Sequence, residues 1–290
     1  MTPTEPINPE IYKVAHQSYE PNIRYDLSKK ELYLLEIQLG MDVQDSFLQD
    51  HANVVVVDSQ SHYANIGRMH EIIDGGFSDY DNEMQDYEHN SVFLYVLNPD
   101  NEIFGHNNEL EDKNQPLVAH VFRITKPNEI HQSKGETGIF TIDDLVRLGY
   151  IDQQSALGYY NLVGADGLSK AFSVDSNLEI KEAKPTLDKP YSFWGYKAIN
   201  QYGIDNGFFY AFAYLNPSAI KSLQNSGLDL YPFMEREDIV LEDTDHGGTY
   251  IPVVLAATES TINTFNDPSF AKNELISHFA KTPLNIIYTK

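Results

Sequence analysis

Short, strongly apolar runs recur along the chain, and segments with a helical spacing of apolar residues separate most of them. A run of four to eight β-branched or aromatic residues between turn signals is typical of a buried strand. Strands are predicted at Asn53–Asp58, Ser91–Leu97, Leu117–Thr125, Leu168–Val174, Phe208–Leu215, Leu228–Phe233 and Ile251–Thr258. Strands that alternate with helices only in part predict the α/β class, as a three-layer α/β/α sandwich around a mixed, partly antiparallel sheet.

Helices are predicted between these strands. Ser28 and Glu31 have the spacing of a capping box, which predicts a helix after Ser28. Thr141 is expected to cap the helix Ile142–Tyr150, and Asp152 is expected to cap the helix Gln153–Val163. The other predicted helical segments are Tyr12–Gln17 (one turn), Val43–Gln49, Ser61–Ile73, Tyr191–Asp205, Pro217–Asn225 and Ser260–Phe279.

The predicted elements divide the chain into three parts. Residues 1–50 form an N-terminal arm with helices, residues 51–260 form the α/β domain with a helical insertion at 128–167, and residues 261–290 form a C-terminal helical extension. No run of about 18 apolar residues is present, as a membrane-spanning helix needs. The N-terminal residues lack the basic start and apolar stretch of a secretory signal, so a cytoplasmic protein is expected.

The charge of the chain excludes several classes of partner. Asp and Glu number 43 against 20 Lys and Arg, which gives a net charge of −23. Such a chain offers no broad basic face for a nucleic acid and repels an anionic membrane surface, so neither is expected as a partner, and no membrane insertion is expected. The absence of cysteine excludes a thiolate nucleophile and a cysteine metal site. The sequence leaves the oligomeric state open.

The segment FFYAFAYLNPSAIKSLQNSGLDLYPF carries a first motif. Asn216 follows a predicted strand, Ala219 comes three residues later, and Gly227 comes eleven residues after the asparagine. This pattern, together with the order of elements, resembles the GNAT acyltransferase fold. The resemblance implies that strands 168–174 and 208–215 are parallel neighbours that splay apart, and that the pantetheine arm of an acyl carrier enters between them.

The segment RMHEIIDGGFSDYDNEMQDYEHNSVFLYVL, with an arginine in a later strand, carries a second motif. It resembles the acyl-homoserine-lactone (autoinducer) synthase branch of that superfamily, and the N-acyl amino acid synthases share the fold. The resemblance implies an acceptor cluster that positions an amine beside an acyl thioester. On this chain the cluster comprises Arg68, Glu83, Gln85, Tyr87, Glu88 and Arg123.

The implied function is transfer of an acyl group from a thioester carrier to an amine, with amino acid derivatives as one class of acceptor. Glu83 and Asp166 are the expected catalytic carboxylates, Arg68, Tyr87, Glu88 and Arg123 bind the acceptor, and Lys170 and Asn216 bind the donor. Acyl-CoA is favoured over an acyl carrier protein, because such carrier proteins are acidic and this chain repels them. No metal is expected.

Three departures from the family pattern favour an alternative. Gly167 stands where the family has a glutamate, Leu223 stands where many members have a tyrosine, and LDKPYSFWGY replaces a glycine-rich diphosphate loop. Backbone amides cannot cradle a diphosphate in the usual way without those glycines. The alternative is a catalytically degenerate ligand-binding or protein-interaction module, in which the arginine and glutamate cluster is a structural ion-pair network.

Overall fold

The computed structural model describes residue 24 and residues 26–75, 87, 89–104, 115–127, 131, 133–164, 170–183, 190–236, 238–243, 248–256, 258–272 and 274–289. Their contacts divide the chain into two compact units. Unit 1 comprises Met1–Arg123, Ser176–Ala198 and Leu284–Lys290, and unit 2 comprises Ile124–Asp175 and Ile199–Pro283. The helical turn expected at Tyr12–Gln17 lies outside the described residues.

Nine strands and eight α-helices are described. The strands are β1 Ala52–Asp58, β2 Ser91–Leu97, β3 Val118–Thr125, β4 Lys170–Glu179, β5 Phe208–Leu215, β6 Leu230–Pro232, β7 Leu241–Asp243, β8 Gly248–Ala256 and β9 Leu284–Tyr288. The helices are α1 Lys29–Val43, α2 Ala64–Ile73, α3 Phe140–Arg147, α4 Gln153–Gly164, α5 Tyr191–Asp205, α6 Pro217–Ser226, α7 Glu259–Asn266 and α8 Glu274–Ala280. Within these residues no helix is both long and apolar enough to cross a bilayer.

The strands form a mixed sheet. In unit 1, β1 pairs antiparallel with β2 and parallel with β9. In unit 2, β5 pairs parallel with β4 and antiparallel with β8. β3 and β4 contribute residues to both units, and the hydrogen-bonded order is β6-β8-β5-β4-β3-β2-β1-β9, with β7 paired to β8. The predicted α/β class with a mixed, partly antiparallel sheet is confirmed.

In unit 1, two glycines let helices approach the sheet closely. A Cβ at Gly67 of α2 would lie 2.3 Å from Phe93 Cδ1, and a Cβ at Gly195 of α5 would lie 1.8 Å from Phe122 Cε2. The aromatic rings occupy the space that a larger residue would need. These helix positions therefore require glycine for packing.

In unit 2, the predicted helical insertion packs on the sheet. Its helices α3 and α4 supply apolar side chains to a core that also draws on β4, β5 and β8. That core comprises Ile139, Ile142, Leu145, Ile151, Ala156, Ala171, Phe212, Phe233, Ile239 and Val254. Burial of this set fixes the insertion against β5.

Capping side chains are present at the starts of α1, α4, α6 and α7. The Ser28–Glu31 capping box is present at α1, and Asp152 Oδ1 accepts the N–H of Ser155 at α4. The expected cap at Thr141 is wrong, because α3 begins one residue earlier and Thr141 lies inside it. Asp143 accepts the N–H groups of Thr137 and Gly138 and so turns the chain into the helix before Thr141.

Two segments differ in secondary structure from the prediction, one directly after α1 and one near the end of the described residues. A single 3₁₀ turn, Gln44–Ser46, replaces the helix expected at Val43–Gln49. The side chain of Asn53 accepts the N–H of Leu48 and donates to its carbonyl, which holds this segment out of a helix. Strand β9 was not predicted. It pairs with β1, whose sequence lies more than 200 residues earlier.

Candidate functional site

Strands β4 and β5 are parallel neighbours, as the resemblance implied. Their pairing runs from Lys170↔Phe208 to Val174↔Ala213, with a register shift at its start. There β5 advances two residues while β4 advances one, so Phe209 is the extra residue of a bulge. The bulge therefore lies at the start of the paired stretch.

The two strands take different partners after Val174↔Ala213. Asp175, the next residue of β4, accepts a hydrogen bond from the hydroxyl of Thr125 on β3. Tyr214, the next residue of β5, donates to Asp144 Oδ2 of α3 at 2.7 Å. Cα pairing between β4 and β5 ends here among the described residues, although both strands continue. Beyond this point β5 stays paired with β8 through Tyr214↔Pro252 and Leu215↔Ile251.

The hydroxyl of Tyr214 is tied to the insertion. It lies 3.0 Å from the carbonyl oxygen of Thr141 and 2.7 Å from Asp144 Oδ2, and Asp144 also pairs with Arg147. Burial and the negative charge of Asp144 raise the pKa of Tyr214 above its ordinary value. The tyrosine is therefore a protonated hydrogen-bond donor at neutral pH.

Asn216 caps helix α6. Its Oδ1 accepts the N–H of Ala219 at 2.8 Å and the hydroxyl of Ser218 at 2.6 Å. Gly227 ends the helix with φ +101°, in the left-handed region. The asparagine, alanine and glycine of the first motif thus have a local role as the two ends of one helix. Leu223, on the same helix, is half-buried.

Of two more predicted site residues, the donor-side Lys170 and the catalytic carboxylate Asp166, only Lys170 is placed, and only in part. Lys170 is the first residue of β4 and pairs with Phe208 through its backbone. Its side chain and Asp166 lie outside what the structure describes.

Arg68 lies on α2 in unit 1, with 1% of its surface exposed. Its guanidinium donates to Asn65 Oδ1 at 2.7 Å and to the carbonyl oxygen of Ser59 at 2.6 Å. The guanidinium carbon lies 5.9 Å from the centroid of the Phe93 ring. The arginine is therefore oriented from the helix, the loop after β1 and strand β2.

Arg123 of β3 forms an ion pair with Glu71, which sequence reasoning missed. Arg123 Nη1 lies 3.2 Å from Glu71 Oε2, and the two side chains are 2% and 1% exposed. Glu71 follows Arg68 by three residues on α2, a spacing that puts both on one face of a helix. That spacing was the available sequence signal. Arg68 thus lies on α2, and Arg123 of β3 contacts the same helix through Glu71.

Tyr95 joins this cluster from β2. Its hydroxyl accepts the N–H of Gly67 and donates to the carbonyl oxygen of Tyr63, both at 2.9 Å. Burial raises its pKa. Tyr87 is buried, and its carbonyl accepts the hydroxyl of Ser91. Glu83, Gln85 and Glu88 lie outside the described residues.

A second cluster of buried charged side chains lies on α1, on α2 and at the end of α2. His70 Nε2 lies 2.8 Å from Glu36 Oε1, and His70 Nδ1 lies 2.9 Å from Asp74 Oδ2. Burial alone lowers the pKa of His70, but the hydrogen bonds and charges of Asp74 and Glu36 outweigh it and raise the pKa to about 9. His70 is therefore an imidazolium between two carboxylates at neutral pH.

The pKa of His120 on β3 is shifted in the opposite direction to that of His70. Burial lowers its pKa to about 4, against a hydrogen bond from Nε2 to Asn177 Oδ1 at 2.6 Å. Asn177 Nδ2 donates to the hydroxyl of Tyr196 on α5, which leaves Oδ1 as the acceptor for His120. His120 is therefore neutral with its proton on Nε2.

Lys197 is buried on α5, and this burial lowers its pKa to about 8. A lysine with this pKa is partly neutral under mildly alkaline conditions. No predicted role includes it.

Chemically, unit 1 offers two buried guanidinium groups, and Glu71 pairs with that of Arg123. Guanidinium groups bind carboxylates in a planar, bidentate geometry. In unit 2, the parallel pairing of β4 and β5 ends at Val174↔Ala213. Backbone N–H and C=O groups of a strand can pair with an amide-bearing ligand.

No protein-family model matches the chain, and neither does any curated protein. Among solved structures, the fold is similar to that of the CoA-dependent acyl-homoserine lactone synthase BjaI with MTA, at a TM-score of 0.45 and 8% identity over 82% of this chain and 93% of that chain. It is similar to a second CoA-dependent synthase of that kind, MesI, at a TM-score of 0.41 and 11% identity over 80% and 98% of the two chains. The third is FeeM, an N-acyl amino acid synthase from uncultured soil microbes, at a TM-score of 0.38 and 9% identity over 62% and 76%.

At these identities the likeness is one of fold. The families that the sequence resembles, acyl-homoserine lactone synthases and an N-acyl amino acid synthase, are thus among the solved structures similar to this chain.

Proposed function

We propose that the protein transfers an acyl group from a thioester carrier to an amine. The observation that carries the proposal is that the parallel pairing of β4 and β5 ends at Val174↔Ala213 although both strands continue. We infer that the backbone donors and acceptors of the two strands beyond this point face a ligand instead of each other. A pantetheine arm contains two amides, which can pair with such groups as an added strand does.

The reaction forms a C–N bond and breaks the C–S bond of the thioester. A base takes a proton from the amine, and backbone N–H groups stabilise the oxyanion. The C–S bond then breaks, and the thiolate takes up the proton that the amine gave to the base, so the carrier leaves as a thiol. Glu83 and Asp166 remain the proposed proton acceptors. The donor is proposed to be acyl-CoA rather than an acyl carrier protein, because the chain has a net charge of −23.

The acceptor is proposed to be an amine that also carries a carboxylate, such as an amino acid derivative. Arg68 and Arg123 support this choice, because both guanidinium groups are buried at α2. Tyr87 and Glu88 are proposed to complete the acceptor side.

A non-catalytic ligand-binding module is the second candidate. Leu223 offers no proton at its position on α6, and Asn216 Oδ1 is engaged in the helix cap. The segment before α5 has no glycine-rich turn for a diphosphate. This candidate keeps thioester binding and omits the reaction.

The test is incubation of the protein with a panel of acyl-CoAs, with and without a panel of amino acids. Free thiol and thermal stability are measured. Thiol release that depends on the amine supports the enzyme, whereas stabilisation without release supports the binder. If no thioester produces either response, both candidates are wrong.

A pair of variants locates the donor. Ala213→Phe places a ring at the last paired position of β5, and Phe209→Trp enlarges an exposed residue at the bulge. We expect Ala213→Phe to weaken acyl-CoA binding at least tenfold and Phe209→Trp to leave it unchanged. Equal effects of the two variants would contradict entry between the strands.

A further inference from the structure

Three side chains of metal-binding type meet at the start of the helical insertion. His131, Glu136 and Asp143 each present one ligand atom, and these atoms lie within 4.8 Å of one another. His131 Nδ1 lies 2.5 Å from Glu136 Oε2. All three residues belong to unit 2, and none has a part in the proposed acyl transfer.

Hydrogen bonds hold the carboxylate of Asp143 in place. Its Oδ1 accepts the N–H and the hydroxyl of Thr137, both at 2.8 Å, and its Oδ2 accepts the N–H of Gly138 at 2.9 Å. Each carboxylate oxygen has two lone pairs, so Thr137 occupies both lone pairs of Oδ1, and Oδ2 is the oxygen that would coordinate an ion. Carboxylate ligands in metal sites are commonly oriented by hydrogen bonds of this kind.

The other two side chains differ in exposure. The side chain of His131 is 3% exposed, whereas that of Glu136 is 38% exposed. The imidazole is therefore fixed by its surroundings, and Glu136 can move. The exposed side of the cluster gives an ion access from solvent and leaves room for a water ligand.

We propose that His131, Glu136 and Asp143 bind a divalent transition-metal ion of the zinc class, with water completing the coordination. One imidazole nitrogen and two carboxylate oxygens suit Zn²⁺ or Mn²⁺, whereas Mg²⁺ and Ca²⁺ prefer oxygen ligands alone. Two carboxylates also balance the charge of the ion.

The geometry requires a small movement. Bonds of about 2.1 Å place the ligand atoms of a tetrahedral site roughly 3.4 Å apart. The present separations run from 2.5 Å between His131 Nδ1 and Glu136 Oε2 to 4.8 Å at most, so the short one has to lengthen and the long ones have to shorten. Rotation of the half-exposed Glu136 side chain can provide this adjustment. A bound ion would join the segment before α3 to the first turn of that helix.

The test is calorimetric titration of EDTA-treated protein with ZnCl₂, and separately with MgCl₂, together with thermal unfolding in each salt. We expect one zinc ion per chain, binding at least tenfold tighter than magnesium, and a higher melting temperature in zinc. Glu136→Gln and His131→Gln should each weaken zinc binding at least tenfold. His278→Gln is the matched control, because His278 and Glu274 form an exposed histidine and carboxylate four residues apart on α8.

Absence of zinc binding by the wild-type protein would overturn the proposal, as would loss of binding in His278→Gln. Unchanged binding in Glu136→Gln would do the same, and this half-exposed variant remains informative if His131→Gln does not fold. X-ray absorption of the zinc-loaded wild-type protein gives a check that needs no variant. One imidazole among oxygen ligands is expected, and a spectrum with no imidazole contradicts the assignment.

Discussion

Arg123 and Glu71 form a buried ion pair between strand β3 and helix α2, with 3.2 Å between Nη1 and Oε2. Removal of one partner leaves an uncompensated charge in a site that water does not reach. Helix α2 also carries Arg68, so the pair fixes the helix on which the proposed acceptor side depends.

Glu71→Gln is expected to lower the free energy of unfolding by about 3–5 kcal/mol, because Arg123 stays buried without its carboxylate. Chemical denaturation measures the change. Asp238→Asn breaks a solvent-exposed pair with Arg236 and should leave the unfolding midpoint unchanged. A Glu71→Gln loss below about 1 kcal/mol would mean that the buried pair contributes no more than a surface pair.

The contribution of His70 to the free energy of unfolding should fall as the pH rises from 6.5 to 9. The folded state holds the pKa of His70 at about 9 against an unfolded value of 6.5, so the folded protein binds the extra proton in this window. The contribution of His70 is complete below pH 6.5 and is lost as the pH passes through 9. Urea unfolding from pH 6 to 10 measures it, and His70→Gln should flatten that part of the profile. An identical slope in the variant would contradict the assignment.

Gly195→Ala is expected to destabilise the protein strongly, because the new Cβ would lie 1.8 Å from Phe122 Cε2. Gly158→Ala is the matched helix substitution, since a Cβ there meets nothing within 4 Å. It should raise stability by about 0.5–1 kcal/mol through lower backbone entropy in the unfolded chain. Thermal unfolding of both variants tests the packing of α5, and equal melting temperatures would refute it.

Asn216→Ala should cost about 1 kcal/mol of stability through loss of the cap, and Asn216→Ser should restore most of it. Because Oδ1 is engaged with Ala219 and Ser218, we expect Asn216 to act on the donor through the position of α6. The KM for acyl-CoA should then rise in the alanine variant and recover with serine. A KM that stays raised with serine indicates direct contact between Asn216 and the donor.

Local patterns predicted much of the fold. Strands β2 and β5 have the predicted boundaries, because each is a continuous apolar run between turn residues. The Ser28 and Gly227 caps follow from side-chain and backbone chemistry within a few residues. Strand β9 was missed because its partner β1 lies at the other end of the chain. The Thr141 cap was wrong because Asp143 took the loop amides instead.

The candidate site was predicted less completely. Arg68 and Arg123 were identified by a motif, and both are buried, while their role in binding an acceptor stays a prediction. Glu71 was not identified from the sequence, because the partner of Arg123 depends on how β3 packs against α2. The cluster of His131, Glu136 and Asp143 was missed for a different reason: the three residues are close in sequence, but their spacing matches no metal-binding motif.

The central claim is that a thioester donor enters between β4 and β5, and hydrogen exchange measures this most directly. The protein is compared with and without a non-hydrolysable thioether analogue of acyl-CoA. We predict slower amide exchange at residues 173–176 and 213–215, where the strands diverge, and unchanged exchange in β1 and β9. Protection that is absent from both segments, or confined to other parts of the chain, would contradict the account.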